Sequence, residues 1–234
     1  MTIETIQPIQ PELSVRPRKW YEIWWDVWLH PGIVPFQTIL KEPNHSMTRG
    51  FIWVAVTSFI VTLISSLFSA LVIRNLAADS PGGLMFENYA TNTLSAICGV
   101  ILSPIFAIIG VAISAGIYHW VAKLFHGKGN WTDLVFCLSA VTAPGTLVGG
   151  VIGIFSLLFF QNPLLIFLPV FVALAFAVYM IILNVNAIRA AEDVGTWEAI
   201  GTIFIPTIII VVLLTCCSLV ALVPIFSSVV SGTQ

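Results

Sequence analysis

The fold of this chain is decided by residues 134–188, which read LVFCLSAVTAPGTLVGGVIGIFSLLFFQNPLLIFLPVFVALAFAVYMIILNVNAI. One bilayer crossing takes about 20 apolar residues. These 55 residues contain no Asp, Glu, Lys or Arg, so they must hold two crossings. Gln161, Asn162 and Pro163 lie near the middle. Asn before Pro resists the helix and Pro lacks a backbone donor, so the triplet predicts the turn between the crossings.

Three further windows lack charged residues, at 50–73, 88–122 and 199–234. The 234-residue chain is 58% apolar and 9% charged, which excludes a soluble globular domain with its roughly 25% of charged residues. The formal net charge of −2 provides no basic face for nucleic acid. The sequence therefore predicts an all-α, polytopic membrane bundle of five transmembrane helices, at 50–73, 94–124, 134–160, 164–183 and 200–226.

The basic residues indicate an orientation. Five spans place the chain ends on opposite sides of the membrane, and eight of the nine Lys and Arg residues then share the side of the N-terminus. Only Arg74 lies on the other side. Basic residues concentrate in cytoplasmic loops, so we expect a cytoplasmic N-terminus and a C-terminus outside. The eight are Arg16, Arg18, Lys19, Lys41, Arg49, Lys123, Lys128 and Arg189.

The chain ahead of the first span divides into two segments. Residues 1–18 are Pro-rich and have no apolar run, which predicts a disordered cytoplasmic tail. Residues 19–49 predict an amphipathic cytoplasmic or interfacial segment, followed by a five-span domain at 50–230. Residues 19–30 read KWYEIWWDVWLH, with charges opposite an apolar stripe, so we expect a helix lying in the membrane interface. Packing against the protein's own spans or a partner is the alternative. The stripe consists of Trp20, Ile23, Trp24, Val27 and Trp28.

All eight tryptophans fall at the predicted cytoplasmic edge, although aromatic belts normally occupy both interfaces. We therefore expect a face there that contacts the membrane interface or a partner. Gly127-Lys128-Gly129 lacks the P-loop pattern, because Ala122 stands where Gly is required and Lys128 is followed by Gly, so it predicts a tight turn. The candidate residues of the face are Trp20, Trp24, Trp25, Trp28, Trp120, Trp131, Lys123 and Lys128.

The connection between the fourth and fifth spans is expected to be a polar cytoplasmic loop that begins at Asn184. Asn184 and Asn186 can satisfy backbone groups at the membrane edge. Arg189 is expected to form an ordinary surface pair with Glu192 or Asp193, at i+3 or i+4.

Small residues recur at helical spacing in the second and third spans. Such ridges let helix backbones approach closely. We expect these two spans to pack on each other within the chain, with self-association or docking to another subunit as the alternative. The helix-packing residues are Ser95, Gly99, Ser103 and Ala107 in the second span, and Gly145, Gly149 and Gly153 in the third.

The predicted spans contain no Asp, Glu, Lys or Arg, which disfavours an ion-coupled transporter. His119 is expected at the interface. The sequence shows no catalytic set, no metal-ligand spacing among its four cysteines and no cofactor motif. We expect a non-catalytic protein that organises the membrane or recruits partners. An accessory subunit of a larger membrane complex is the second hypothesis, and a passive channel or carrier is the third.

One stretch resembles a known family. Residues 118–150 read YHWVAKLFHGKGNWTDLVFCLSAVTAPGTLVGG and resemble the central signature of the Yip family, whose name refers to interaction with Ypt/Rab GTPases. Residues 182–206 resemble the C-terminal signature of the same family. The spacing of Trp24, Trp28, Pro31, Phe36 and Ile39 is similar to the spacing seen in bacterial members of the family. The matching central positions are Lys123, Gly127, Lys128, Gly129, Trp131, Phe136 and Pro144.

The resemblance implies a five-span membrane protein with a cytoplasmic N-terminus, here in a bacterial plasma membrane. Eukaryotic relatives bind Rab GTPases through their cytoplasmic parts. Their Asp-Leu-Tyr-Gly-Pro motif is missing, and the nearest string runs from Asp26 to Pro31. Rab binding is therefore not expected of this chain, and the partners expected are the lipid bilayer, other membrane subunits or a second copy.

Overall fold

A computed structural model describes residues 18–79, 93–159 and 167–231. Within these ranges the secondary structure is helical. The seven helices are α1 (Trp20–Leu29), α2 (Ile33–Leu40), α3 (Met47–Asp79), α4 (Thr93–Leu124), α5 (Trp131–Phe159), α6 (Phe167–Glu192) and α7 (Thr196–Ser231). Except for Arg18, the predicted tail lies outside the described residues, as does the predicted turn at Gln161–Pro163.

Five of these helices are long and apolar enough to cross a membrane, as predicted. Their candidate spans are Met47–Leu71, Ile97–Leu124, Trp131–Ser156, Phe167–Glu192 and Thr196–Cys216. Pro104 and Pro144 lie inside α4 and α5 rather than at helix ends. The fold is therefore the predicted all-α bundle, with α1 and α2 as two short additional helices.

The predicted loop that begins at Asn184 is wrong in its extent. Residues 184–192 continue α6, because they include no Gly or Pro and several good helix formers. The helix ends at Glu192, and Asp193 takes a left-handed φ of 53°. Only residues 193–195 connect α6 to α7, so Asn184, Asn186 and Arg189 are helical.

The buried side chains gather at one end of the bundle. The first half of α5 is its centre, because residues 134–141 are all buried. Side chains of α1, α2, α3, α4 and α6 pack around it, and α7 joins the core through its contacts with α4 and α6. We call this the core end: it carries α1, α2, the 125–130 loop and the 193–195 turn. The remaining lengths of the long helices expose large apolar side chains, as lipid-facing surfaces do.

The α1–α2 hairpin packs against the protein's own spans. Ile23 and Val27 of α1 and Phe36 and Ile39 of α2 are fully buried in the core. Helix α1 contacts α5, and α2 contacts α6. The apolar stripe of α1 therefore packs against the protein's own spans, which is the alternative that the sequence left open. Trp20 is the exception, because it is half exposed at the start of α1.

Candidate functional site

A charged network joins α1, the α2–α3 connection and α3 around Glu42. Its carboxylate oxygens lie 3.7 Å from Nε of Arg18 and 3.9 Å from Nη1 of Arg49. Arg18 also donates to Asp26 at 3.0 Å, and Arg49 donates to the Arg18 carbonyl at 2.7 Å. The guanidinium of Arg49 lies 5.1 Å from the centroid of the Trp53 ring. The network therefore ties the start of α1 to the start of α3.

Glu42 is buried without a good hydrogen bond. It is 2% exposed, and among the described residues neither carboxylate oxygen has a hydrogen-bond donor. Burial raises the pKa of Glu42 above its ordinary value, and the nearby Arg18 and Arg49 offset only part of that rise. Nδ1 of His45 lies 2.6 Å from the Glu42 carbonyl oxygen, and Nε2 of His45 lies 3.6 Å from Asp133. The ionised carboxylate is therefore the destabilised form.

Aromatic rings continue this packing toward the middle of the bundle. Trp24 contacts Trp53 edge-on at 6.0 Å between ring centroids, and Trp53 contacts Phe136 at 5.4 Å. Trp28 contacts Tyr179 at 5.6 Å and Phe176 at 6.1 Å. Such pairs add to the stability that burial alone provides. Two tryptophans of the predicted binding face are therefore packing residues of the hairpin.

Two polar side chains of α6 hold the hairpin where α1 ends. The Tyr179 hydroxyl donates to the Trp28 carbonyl, and the Asn186 side-chain amide donates to the Pro31 carbonyl at 3.1 Å. The Trp28 carbonyl is one of the last carbonyls of α1, which have no partner within the helix. The expectation that Asn186 satisfies a backbone group is confirmed, and the Asn184 amide donates to the Met180 carbonyl.

A second buried carboxylate lies beneath the 125–130 loop. Glu192 is 0% exposed, and its Oε1 lies 2.6 Å from Nδ1 of His119. Its Oε2 has no partner among the described residues. The predicted surface pair of Arg189 with Glu192 is wrong, because Glu192 turns inward to α4 while Arg189 donates to Asn186 at 3.2 Å.

The 125–130 loop is the predicted tight turn, and it closes α4. Amides of Gly127 and His126 donate to the carbonyls of Ala122 and Lys123, which is the Schellman pattern. His126 has the left-handed φ of 66° that this cap requires. The Lys123 ammonium donates to the carbonyls of Gly127 and Gly129, each at 3.0 Å. Lys123 was predicted to face the membrane or a partner, and in the structure its ammonium group stabilises its own loop through these hydrogen bonds.

The loop also rests on the end of α6. The Lys128 amide donates to the Glu192 carbonyl at 2.9 Å, which satisfies one of the last carbonyls of α6. A Cβ at position 129 would lie 2.7 Å from the Ala191 carbonyl carbon and from Cα of Glu192. Only Gly permits this approach. The core end thus combines the buried carboxylates of Glu42 and Glu192, the 125–130 loop that packs on α6, and the α1–α2 hairpin that packs on the spans.

Residues 25–217 match the Yip1 domain. The chain belongs to the Yip1 family. The matched region begins within α1 and ends within α7, so it includes the second half of α1, all of α2 and most of the length of the five long helices. No curated protein and no solved structure matches the chain.

The predicted aromatic residues of this Yip1-family chain separate into two groups. Trp24, Trp28 and Trp131 are partly buried against the core. Trp20 is half exposed, Trp25 and Trp120 are each 68% exposed, and the Lys128 side chain is exposed. Trp197, at the start of α7, is 84% exposed and also lies at the core end. Exposed Trp25, Trp120 and Trp197 are therefore the candidates for binding.

The small-residue ridge of the third span meets a helix other than the one expected. A Cβ at Gly145 would lie 2.7 Å from the Met180 methyl group, and one at Gly149 would contact Phe176, so this ridge faces α6 and not α4. At Gly99 and Gly153 a Cβ would meet nothing within 4 Å. Ser103 and Ala107 are half-buried, and the side chain of Ser95 lies outside the described residues.

Sequence reasoning did not identify the buried carboxylates or the Tyr179 anchor. Glu42 and Glu192 look like surface residues in the sequence, because each lies next to a polar turn. Arg18 lies 24 residues before its partner Glu42 in the sequence, and His119 lies 73 residues before its partner Glu192, so no local pattern pairs them. Among the described residues, no three His, Cys, Asp or Glu side chains are grouped to hold a metal ion.

Proposed function

We propose that this Yip1-family protein is a non-catalytic multi-pass membrane protein, of a bacterial type, that organises the membrane or recruits partners at its core end. The observation that carries the proposal is the exposure of Trp25, Trp120 and Trp197 at that end, on helices held by buried contacts. Tryptophan is enriched at protein interfaces and at membrane surfaces. A rigid core end that presents exposed indoles suits binding.

We propose further that the core end is cytoplasmic and that the membrane is a bacterial plasma membrane. The positive-inside rule supports this orientation, because the basic residues of the core end outnumber Arg74 toward the other end of α3. The basic residues described at the core end are Arg18, Lys19, Lys41, Arg49, Lys123, Lys128 and Arg189.

Glycosylation tests the orientation. Asn44-His45-Ser46 and Asn130-Trp131-Thr132 are acceptor sequons at the core end. Expressed in a eukaryotic host, both should remain unmodified, while a sequon placed in an extension after Gln234 should be glycosylated. Modification of Asn130 would overturn the orientation.

Capture of partners in mild detergent tests recruitment. The double variant Trp120→Ala and Trp197→Ala should lose co-purifying proteins that the unmodified chain retains. Phe171→Ala is the matched control, because Phe171 is an exposed aromatic residue on the lipid-facing part of α6. Equal recovery of the same proteins by the double variant would contradict recruitment, as would capture of lipid alone by the unmodified chain.

The second candidate is an accessory subunit of a larger membrane complex. It is favoured by the open space at Gly99 and Gly153, where a neighbouring helix could approach closely. Under this alternative, Gly99→Ile and Gly153→Ile should release a co-purifying membrane protein while the exposed-Trp variant retains it. A passive channel or carrier would need a wet path lined by polar side chains, and Ser139, which such a path could use, is fully buried in the core.

A further inference from the structure

Helix α1 presents a second apolar row that the sequence stripe did not include. Tyr21, Trp25 and Leu29 follow one another at i, i+4 and i+8, so they share one side of the helix. All three are exposed, whereas Ile23 and Val27 are fully buried. We call Tyr21, Trp25 and Leu29 the outer row.

Contacts with α5 and α6 set the level of α1 along the bundle. Tyr179, which binds the Trp28 carbonyl, lies 13 residues before the end of α6, or roughly 20 Å at 1.5 Å per residue. The Trp28 ring lies beside Gly145, 14 residues into α5. The end of α1 is therefore well inside the length of these two spans.

The lipid-facing surface of the spans begins at this same level. Large apolar side chains are exposed on α5 from Val148 onward and on α6 as far as Ile182. Phe176, which contacts Trp28, belongs to that part of α6. The hairpin therefore lies along the edge of the surface that the bilayer covers, and the outer row continues that surface.

The order of side chains around α1 places the outer row between lipid and water. With 100° between successive residues, Trp24 and Trp28 come after the buried pair, the outer row follows, and Glu22, Asp26 and His30 complete the circle. Trp28 lies against Phe176 on the side of the spans' apolar surface, Trp24 packs inward on buried Trp53, and Asp26 is held by Arg18 on the charged side. An aromatic row between these two sides suits the headgroup and glycerol level of a phospholipid leaflet.

We propose that the outer row of α1 inserts into the phospholipid leaflet at the core end, with Trp25 at the level where acyl chains meet the headgroups. The row binds lipid and not protein, because it is continuous with the lipid-facing surface of α5 and α6. This inference rests on the proposed function only in taking the hairpin to lie at the membrane surface. It assigns the lipid contact to Tyr21, Trp25 and Leu29 and leaves Trp120 and Trp197 for partners.

Fluorescence quenching of the full-length protein in phosphatidylcholine vesicles tests the proposal. Trp25→Phe removes one exposed indole, so the difference between the spectra of the unmodified and variant proteins reports Trp25 alone. Brominated phosphatidylcholine should abolish most of this difference, and aqueous iodide should leave it nearly intact. Trp197→Phe is the matched control, because Trp197 is exposed at the start of α7, next to the 193–195 turn. The difference that it produces should respond to iodide and little to brominated lipid.

Two outcomes would overturn the proposal. Quenching of the Trp25 difference by iodide would assign the outer row to water. Protection from both quenchers would assign it to a protein surface, including that of a second copy. Neither result bears on the capture of partners through Trp120 and Trp197. The quenching experiment therefore tests the lipid contact alone, and the capture experiment tests recruitment alone.

Discussion

Gly129→Ala should detach the 125–130 loop from the end of α6. The added Cβ would fall well inside van der Waals contact of the Ala191 carbonyl group, and the neighbours are backbone atoms that cannot rotate away. Overpacking of this kind costs about 1–3 kcal/mol. Loss of the hydrogen bond from the Lys128 amide to the Glu192 carbonyl adds about 1 kcal/mol. We therefore expect Gly129→Ala to lower the free energy of unfolding by about 2–4 kcal/mol.

Thermal unfolding in detergent, followed by intrinsic fluorescence, measures this loss. For a chain of this size, each kcal/mol corresponds to roughly 2–4 °C, so the Tm should fall by roughly 5–15 °C. Trypsin should also cleave faster after Lys123 and Lys128, because the loop no longer rests on α6. Gly153→Ala is the matched control: its Cβ would meet nothing within 4 Å, and Ala favours a helix over Gly by about 1 kcal/mol.

The comparison can refute the reasoning directly. A Gly129→Ala protein that unfolds at the temperature of the unmodified chain, with unchanged trypsin cleavage, would show that the loop does not need this close approach. A Gly153→Ala protein that loses as much stability as Gly129→Ala would show that the two glycines are not distinguished by their surroundings.

Three further predictions concern the buried polar groups. Burial raises the pKa of Glu42 above its ordinary value of 4.5, so the contribution of Glu42 to the free energy of unfolding is present below pH 4.5 and is lost as the pH rises through the raised pKa. Glu42→Gln should therefore flatten the curve of Tm against pH. Parallel curves for the variant and the unmodified chain would contradict the raised pKa. His119→Ala leaves the buried Glu192 without its partner and should lower the free energy of unfolding by roughly 3–5 kcal/mol, measured by thermal unfolding. His119→Gln should lower it less. Equal losses for the two variants would argue against the pair. Tyr179→Phe removes the donor to the Trp28 carbonyl and should cost about 1 kcal/mol, seen as faster proteolysis within the hairpin, and an unchanged cleavage rate would count against the anchor.

The sequence predicted the spans well because a lipid-exposed helix must be apolar over its own length. That requirement is local, so the charge-free windows identify five spans without knowledge of any contact. The loop at Gly127 and Gly129 was also predicted, since a turn depends on adjacent residues. The extent of α6 was missed, because polarity after Asn184 was taken for a loop, although the residues there favour a helix.

The face of α1 shows where local patterns are insufficient. Aromatic residues make up half of this helix, so amphipathicity alone does not tell which of them meet the bundle. The stripe of Trp24 and Trp28 faces inward because Trp53, Phe176 and Tyr179 receive it. What remains exposed is the row of Tyr21, Trp25 and Leu29.

The sequence by itself determined the class of this protein: the number of spans and the all-α bundle. These follow from the free energy of placing each segment in lipid, which the segment's own residues set. The tertiary structure decided which polar residues are buried and which aromatic residues are free. Glu192 finds His119 across 73 residues, and Asn186 finds the Pro31 carbonyl across 155. Such pairings depend on which helices become neighbours, because a buried polar group is stable only where another element supplies its partner.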